Sequence, residues 1–283
     1  MKDYIEININ NQIYPSKLEE IKNAPKKLFL RGNIELFRSN SIAIVGSREC
    51  TSYGFYEAYE FAKELSKKGI CIISGLAQGI DTAAHLGAMH QKGKTIAVLG
   101  TGLNKIYPKE NEILAESIIK NEGLIISEYG LYEERKSENF PKRNRIMSGL
   151  SDGILVVEAR RKSGTLITAR YAREQGKKVF SLPGNVDVIN SSGSNELIKS
   201  GAILVTDVKD ILNEFAIQEE KIIKEEVNQE YKLVYEALGN NPIHINEICK
   251  KTNSSMAEVN QIITMLEIEG LIKSLPNNEF IKR

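Results

Sequence analysis

The chain is poor in the residues that carry metal, redox and disulfide chemistry: its 283 residues include three cysteines, three histidines and no tryptophan. Cys50, Cys71 and Cys249 lie far apart, and with His85, His90 and His244 they make neither a CxxC nor an HExxH spacing. The expectation is structural cysteines, no metal and no cofactor. Long apolar runs are missing too. Nowhere do 18 consecutive apolar residues occur, and the opening "MKDYIEININ" has no apolar leader segment. Neither export nor membrane insertion is supported, so the expected location is the cytoplasm, with no membrane partner. A GxxxxGK[ST] loop is also absent, which removes the commonest signature of nucleoside triphosphate hydrolysis.

What is present is ordinary for a globular chain, since 41% hydrophobic and 27% charged residues suffice for one large core and a smaller satellite. The net charge of +1 hides a lopsided distribution. Residues 1–39 carry 7 Lys/Arg against 5 Asp/Glu, residues 40–205 carry 22 against 18, and residues 206–283 carry 9 against 14. Residues 140–180 alone hold 10 cations and 3 anions. That excess suggests a polyanion site on one face of the large domain; the competing reading is a solvated helix face.

Short, wholly apolar, β-branched runs punctuate the middle of the chain: "IAIV" (42–45), "ICII" (70–73), "TIAVL" (95–99), "LIIS" (124–127), "ILVV" (154–157), "VFSL" (179–182) and "AILV" (202–205). Segments with helical periodicity, such as "YGFYEAYEFAKELSKKG", separate them. This is the pattern of a mostly parallel sheet covered on both faces, a doubly wound α/β domain of Rossmann-like type over 40–215. Residues 1–39, with a possible extra strand at "KLFLRG", read as a lead-in clamped on the sheet edge.

An acidic linker at 216–228 leads to residues 229–283, which resemble a small winged-helix domain: helix, short helix, turn, helix, then a wing at "GLIKSLPNNEFIKR". Ser255 followed by Glu258 forms a capping-box signature at the third helix. That helix, read over 255–269, contains no Lys or Arg and three Glu, so direct phosphate contact there is disfavoured against protein contact or a structural role.

In a parallel sheet, chemistry collects at the carboxyl ends of the strands. Five of these ends run into small-residue turns: "GSRECTSYG", "SGLAQGID", "GTG", "EARRKSGTLITA" and "PGN". Glycine permits close approach of a ligand to the backbone, and amides at helix starts donate to anions. A dinucleotide site fits poorly, because "GTGLNK" lacks the third glycine of GxGxxG. An enzyme acting on nucleotide phosphates or N-glycosidic bonds remains the alternative, with Glu158 or Asp81 as the acting carboxylate. Asp81 otherwise caps the helix "DTAAHLGAMHQKG", Glu158 otherwise orients a guanidinium, and His85 is read as a packing or hydrogen-bonding histidine.

The ordered series "VGSRECTSYG", "SGLAQGIDTAAH", "TIAVLGTGLNKIYP", "SENFPKRNRIMSGLSDGILVVEARRKSGTLITARYAREQGKKVFSLPGN" and "SSGSNELIKSGA" resembles the DNA-processing protein A (DprA/Smf) family over roughly residues 14–210. The resemblance implies a protein without enzymatic turnover that binds single-stranded DNA with no strong sequence preference. It further implies a homodimer that helps load the RecA recombinase on incoming DNA during natural transformation. Two departures stand out. Cys50 replaces the proline common in the family's GSRxPT loop, and the N-terminal helical domain of many members is not seen ahead of the first sheet strand.

On that resemblance Phe140 offers a face to a nucleobase, while Lys142, Arg143, Arg145 and Arg48, with the amides of Gly46–Arg48 and Ser163–Thr165, hold phosphates. The turn residues Gly75, Ala77 and Gly79 and the helix residue Asn144 complete the expected DNA-binding set. Two alternatives stay open: Phe140 as a core residue at the start of a helix capped by Asn144, and Asn144 with Arg145 as internal braces of the loop.

Overall fold

The computed structural model describes residues 4–90, 92–215, 229–239, 241–268, 271–275 and 278–282. The chain divides into two compact units, Met1–Gln218 and Glu219–Arg283. The linker expected over 216–228 lies outside the described residues.

The first unit runs β1 (Ile5–Asn8), α1 (Ser16–Glu19), β2 (Lys27–Gly32), β3 (Ser41–Val45), α2 (Ser52–Lys67), β4 (Cys71–Ser74), α3 (Ile80–His90), β5 (Thr95–Val98), α4 (Glu112–Lys120) and β6 (Leu124–Ser127). It continues with α5 (Asn139–Leu150), β7 (Gly153–Val156), α6 (Gly164–Glu174), β8 (Lys178–Ser181), α7 (Ser192–Lys199), β9 (Ile203–Leu204) and α8 (Val208–Glu214). The nine described strands form one sheet in the order β1-β2-β6-β5-β4-β3-β7-β8-β9. Every pairing from β6 across to β9 is parallel. The lead-in strands β1 and β2 add antiparallel at the β6 edge, with Phe29 opposite Ser127. β1 gives no clear sequence signal because, in four residues, it buries only Ile7. Away from that edge, the Lys17 ammonium sits 2.7 Å from Asp152, whose carboxylate also accepts from the Ser41 amide.

Alternation along β3 and β7 feeds a core on each face of the sheet. Ala43, Val45, Ile154 and Val156 face the side covered by α1, α5 and α6, while Ile42, Ile44, Leu155 and Val157 face α2, α3 and α8. A strand buried on both faces must be apolar at every position, which is why these runs show no polar alternation. From β3 the chain winds outward through β4, β5 and β6, then returns to place β7 on the other flank of β3. The order reverses there, opening a crevice at the carboxyl ends of β3 and β7.

The second unit holds α9 (Gln229–Ala237), β10 (Ile243–His244), α10 (Ile245–Thr252), α11 (Met256–Ile268), β11 (Ile272–Leu275) and β12 (Glu279–Lys282), with the small sheet ordered β10-β12-β11. Val234, Ile248, Val259, Leu266 and Phe280 form its core. The capping box is made: Glu258 accepts from the Ser255 amide at 2.9 Å, and Ser255 Oγ accepts from the Glu258 amide at 3.3 Å. The β11–β12 hairpin is the wing read from the sequence.

Candidate nucleic-acid interface

A cavity of about 420 Å³ opens at the β3/β7 reversal. Four segments line it: the turn after β3 (Gly46, Ser47, Arg48, Glu49), the turn after β4 and the start of α3 (Ala77, Asp81), the approach to and first turns of α5 (Arg135, Ser137, Phe140, Pro141, Arg143, Asn144), and the turn after β7 running into α6 (Arg160, Ser163, Gly164, Thr165, Thr168). A smaller concavity of about 30 Å³ lies against the same Phe140 ring, between Gly75, Gln78, Tyr107 and Pro108. Phe140 is therefore a wall shared by two hollows.

The turn after β4 is rigid for identifiable reasons. Leu76 adopts φ 59°, a left-handed conformation costly for a bulky residue, and is fully buried. The Asn111 amide holds that turn by donating to Leu76 O at 2.9 Å and to Thr82 Oγ1 at 3.0 Å. Asp81 accepts from the Gly75 and Ala77 amides at 3.2 and 3.3 Å, so it ties down the preceding turn instead of capping its own helix. At Gly79, φ is +76° and a Cβ would lie 2.4 Å from Ser47 O; only glycine lets the β4 turn close on the β3 turn.

Four arginines line the large cavity, and they differ sharply. Arg143, expected to hold phosphate, is 3% exposed. Its guanidinium lies under Gly75, where a Cβ would sit 2.0 Å from Nη1, and it donates to Val98 O. Burial pushes its pKa down to about 10, opposed by the Asp81 charge, so it stays protonated at neutral pH. Burial likewise pushes the Asp81 carboxyl up, opposed by Arg143. The two charges attract each other in the buried layer beneath the cavity, without a direct hydrogen bond between them. Arg160 donates to Glu49 at 2.9 Å and to Asn190 at 2.8 Å. Arg48 and Arg135, by contrast, are exposed and have no carboxylate partner among the described residues. Each rests on an aromatic ring: Arg48 at 5.3 Å from the Phe140 centroid and Arg135 at 4.6 Å from that of Tyr107.

Of the expected set, Gly46, Ser47, Arg48, Ala77, Phe140, Arg143, Asn144, Ser163, Gly164 and Thr165 line the large cavity, and Gly75 the smaller one. Gly79, Lys142 and Arg145 line neither. Lys142 is exposed and lies 3.4 Å from Glu138. Arg145 pairs with Glu128 through two bonds of 2.8 and 2.7 Å and donates to Asn23 O, so it braces the loop. Asn144 lies inside α5, which begins at Asn139, and donates to Gly164 O at 3.3 Å, joining α5 to the start of α6. It caps nothing. Pro141 is accommodated because the first helical turn has no intrahelical use for its amide. Phe140 is half-buried, 5.6 Å from the Tyr107 ring and against Gly100, where a Cβ would lie 2.8 Å from the ring.

The carboxylates of the enzymatic alternative are engaged elsewhere. Glu158 is 2% exposed and accepts from the Thr51 amide and hydroxyl at 2.9 and 2.5 Å, fixing the start of α2 and orienting no guanidinium. His85 is fully buried, and its Nδ1 is 2.8 Å from Thr95 Oγ1. Since that hydroxyl donates to Ile72 O, it must accept from the imidazole Nδ1–H. Burial pushes the His85 pKa down to about 3, so the ring is neutral. Among the described residues no group of three His, Cys, Asp or Glu is arranged to hold a metal ion, and the three cysteines are free. No described helix is long and apolar enough to cross a membrane.

Residues 6–216 match the family model for DNA recombination-mediator protein A, and residues 222–278 match the DprA winged helix domain. The chain belongs to the DprA/Smf family. It is 45% identical over 208 residues to the DNA processing protein DprA of Streptococcus pneumoniae, covering 74% of this chain and 73% of that one. It is 38% identical to the Smf protein of Escherichia coli, covering 95% of this chain and 75% of that one. The solved structure of the S. pneumoniae DprA superposes with a TM-score of 0.71 at 42% identity over 75% of each chain. That of DprA from Helicobacter pylori, described for its single-stranded DNA binding mode, gives 0.68 at 32% identity over 75% of this chain and 95% of that one.

Several lining residues of this DprA/Smf chain carry no signal in the sequence alone. Arg135 sits in "YEERKSE", which looks like any solvated charge run, and Tyr107 is 33 residues from Phe140 in sequence. One usable signal exists for Tyr107: it follows the Gly-rich turn after β5, at the same sheet edge as the other turns.

Proposed function

We propose that this chain binds single-stranded DNA without reading its sequence, using the cavity at the β3/β7 reversal. One observation carries the reading: arginines and turn amides surround a hollow whose wall is an aromatic ring, and two of the arginines have no carboxylate partner among the described residues. Phosphates supply the missing anions, and a ring face stacks with any base. Arg48 is the main phosphate contact, with the amides of Gly46 and Ser47 and those of Ser163–Thr165 beside it. Phe140 is the base platform. Arg143 acts one layer below, holding the floor, and Lys142 contributes only long-range attraction.

The family resemblance suggests a wider role: a homodimer that helps load RecA on incoming DNA during natural transformation, acting without turnover. Asp81 and Glu158, the carboxylates an enzyme would need, are both occupied by backbone amides, which favours binding over hydrolysis. Fluorescence anisotropy with mixed-sequence oligonucleotides tests the binding. Arg48→Ala is expected to weaken all sequences alike and to reduce the salt slope by roughly 0.7 for each phosphate that the arginine neutralises. Weakening confined to one sequence contradicts the reading. Filament assembly by RecA on strands coated with single-strand-binding protein tests the wider role, and no acceleration on adding the chain removes it. Nucleotide hydrolysis that disappears in Glu158→Gln overturns the claim of no turnover.

A further inference from the structure

The Phe140 ring does not stand alone. Tyr107, half-buried in the turn after β5, lies 5.6 Å from it with the ring planes inclined by 57°. The tilt points the two faces in different directions, so the rings are placed to receive two separate bases and not to share one. Over each ring sits an arginine, Arg48 on Phe140 and Arg135 on Tyr107. Both guanidiniums are exposed and lack a carboxylate partner among the described residues, whereas their neighbours are neutralised: Lys105 by Glu134 and Lys136 by Glu133. The acids flanking Arg135 are thus consumed by lysines, and its charge is left over. Arg135 also lines the large cavity, while Tyr107 lines the smaller concavity behind Phe140.

We propose that Tyr107 and Arg135 form a second nucleotide subsite next to Phe140 and Arg48, so that a bound single strand is gripped through two neighbouring bases. The inference rests on the single-strand reading above. In the free protein each guanidinium covers a ring face, a weak arrangement at an exposed site. A nucleotide offers both groups something better. Its base takes the ring face and its phosphate takes the guanidinium, converting an exposed cation–π contact into a charge-assisted pair and a stack. The arginine is a placeholder that keeps the ring covered until DNA arrives. No covalent chemistry is involved.

Binding of fluorescein-labelled oligothymidylates of increasing length to the full chain provides the test, with Tyr107→Ala, Tyr107→Phe, Arg135→Ala and Phe140→Ala compared at several salt concentrations. Tyr107→Ala is expected to lose on the order of 5- to 150-fold in affinity for long oligomers, while Tyr107→Phe retains it. Arg135→Ala is expected to reduce the salt slope by roughly 0.7. Strands carrying 5-iodouracil, irradiated and digested, are expected to label a peptide containing Tyr107 in the unmutated chain, a result independent of whether any variant folds. If the unmutated chain binds but Tyr107→Ala binds as tightly and no such peptide is labelled, the second subsite is overturned and the Phe140 site stands. If the unmutated chain binds no single strand, the underlying reading falls with it.

Discussion

The two units of this chain both have shapes suited to nucleic acid, and they differ in what they offer a phosphate. The sheet unit gathers four arginines around one hollow at its strand ends. The winged-helix unit presents α11, whose sequence MAEVNQIITMLEI contains no cation and two glutamates. Its described lysines are scattered: Lys232 on α9, Lys250 and Lys251 at the end of α10, Lys273 on β11, and Lys282 already lying 4.4 Å over the Tyr235 ring. Shape analogy points to the tail and charge points to the sheet. Because counterion release supplies essentially all non-specific affinity, charge is the better guide.

The sharpest way to break this comparison is to separate the units. A chain ending near residue 216 is expected to keep most single-strand affinity, and residues 219–283 alone to bind neither single nor double strands appreciably at physiological salt. Electrophoretic mobility shifts with both fragments check this. Truncation that abolishes binding while the sheet unit stays folded makes the tail a DNA-contacting element.

Within the sheet unit, the contrast between a buried and an exposed arginine provides the next test. Arg143→Met removes the bond to Val98 O and the charge that offsets the buried Asp81, and is expected to cost about 1–3 kcal/mol in urea unfolding. Arg48→Ala, at an exposed position with no carboxylate partner among the described residues, should change stability by about 0.5 kcal/mol or less while weakening DNA binding. Equal stability losses for the two would erase the distinction between floor and contact.

Phe140→Ala is expected to lose about 1–3 kcal/mol of single-strand binding with the circular dichroism spectrum unchanged. Loss of the fold instead returns Phe140 to the core.

The last test concerns His85. Its pKa is depressed from the ordinary 6.5 to about 3, so on acidification the unfolded chain takes up a proton that the native chain refuses. Stability contributed by the neutral ring is complete above pH 6.5 and is lost as the pH falls toward 3. Asp81, whose pKa is raised by burial, pulls the other way where carboxylates titrate. A His85→Gln variant should show a shallower decline in melting temperature between about pH 6.5 and 4.5 than the unmutated chain; an identical decline would assign the acid sensitivity to other groups.

The sheet was legible in the sequence because strands buried on both faces must be apolar throughout, and the β2 clamp because "KLFLRG" is strongly strand-forming. The glycine turns marked the edge where the cavity opens, since the parallel strands β3 to β9 all send their carboxyl ends there. Side-chain roles were harder to read. Lys142, Arg143 and Arg145 look interchangeable as letters, but helix geometry sends one to solvent, one under Gly75 and one to Glu128. Arg135 and Tyr107 became visible only when the loop after β6 and the turn after β5 were brought together, a juxtaposition no local pattern announces.

The central claim is that an electropositive, aromatic-walled hollow at the β3/β7 reversal takes single strands of any sequence. Anisotropy titrations of the full chain with matched single- and double-stranded oligonucleotides over a range of salt test it most directly. The account predicts tighter binding to the single strand, with log K falling against log salt at a slope of roughly −0.7 per phosphate neutralised. Equal affinity for the duplex, or binding indifferent to salt, would contradict it.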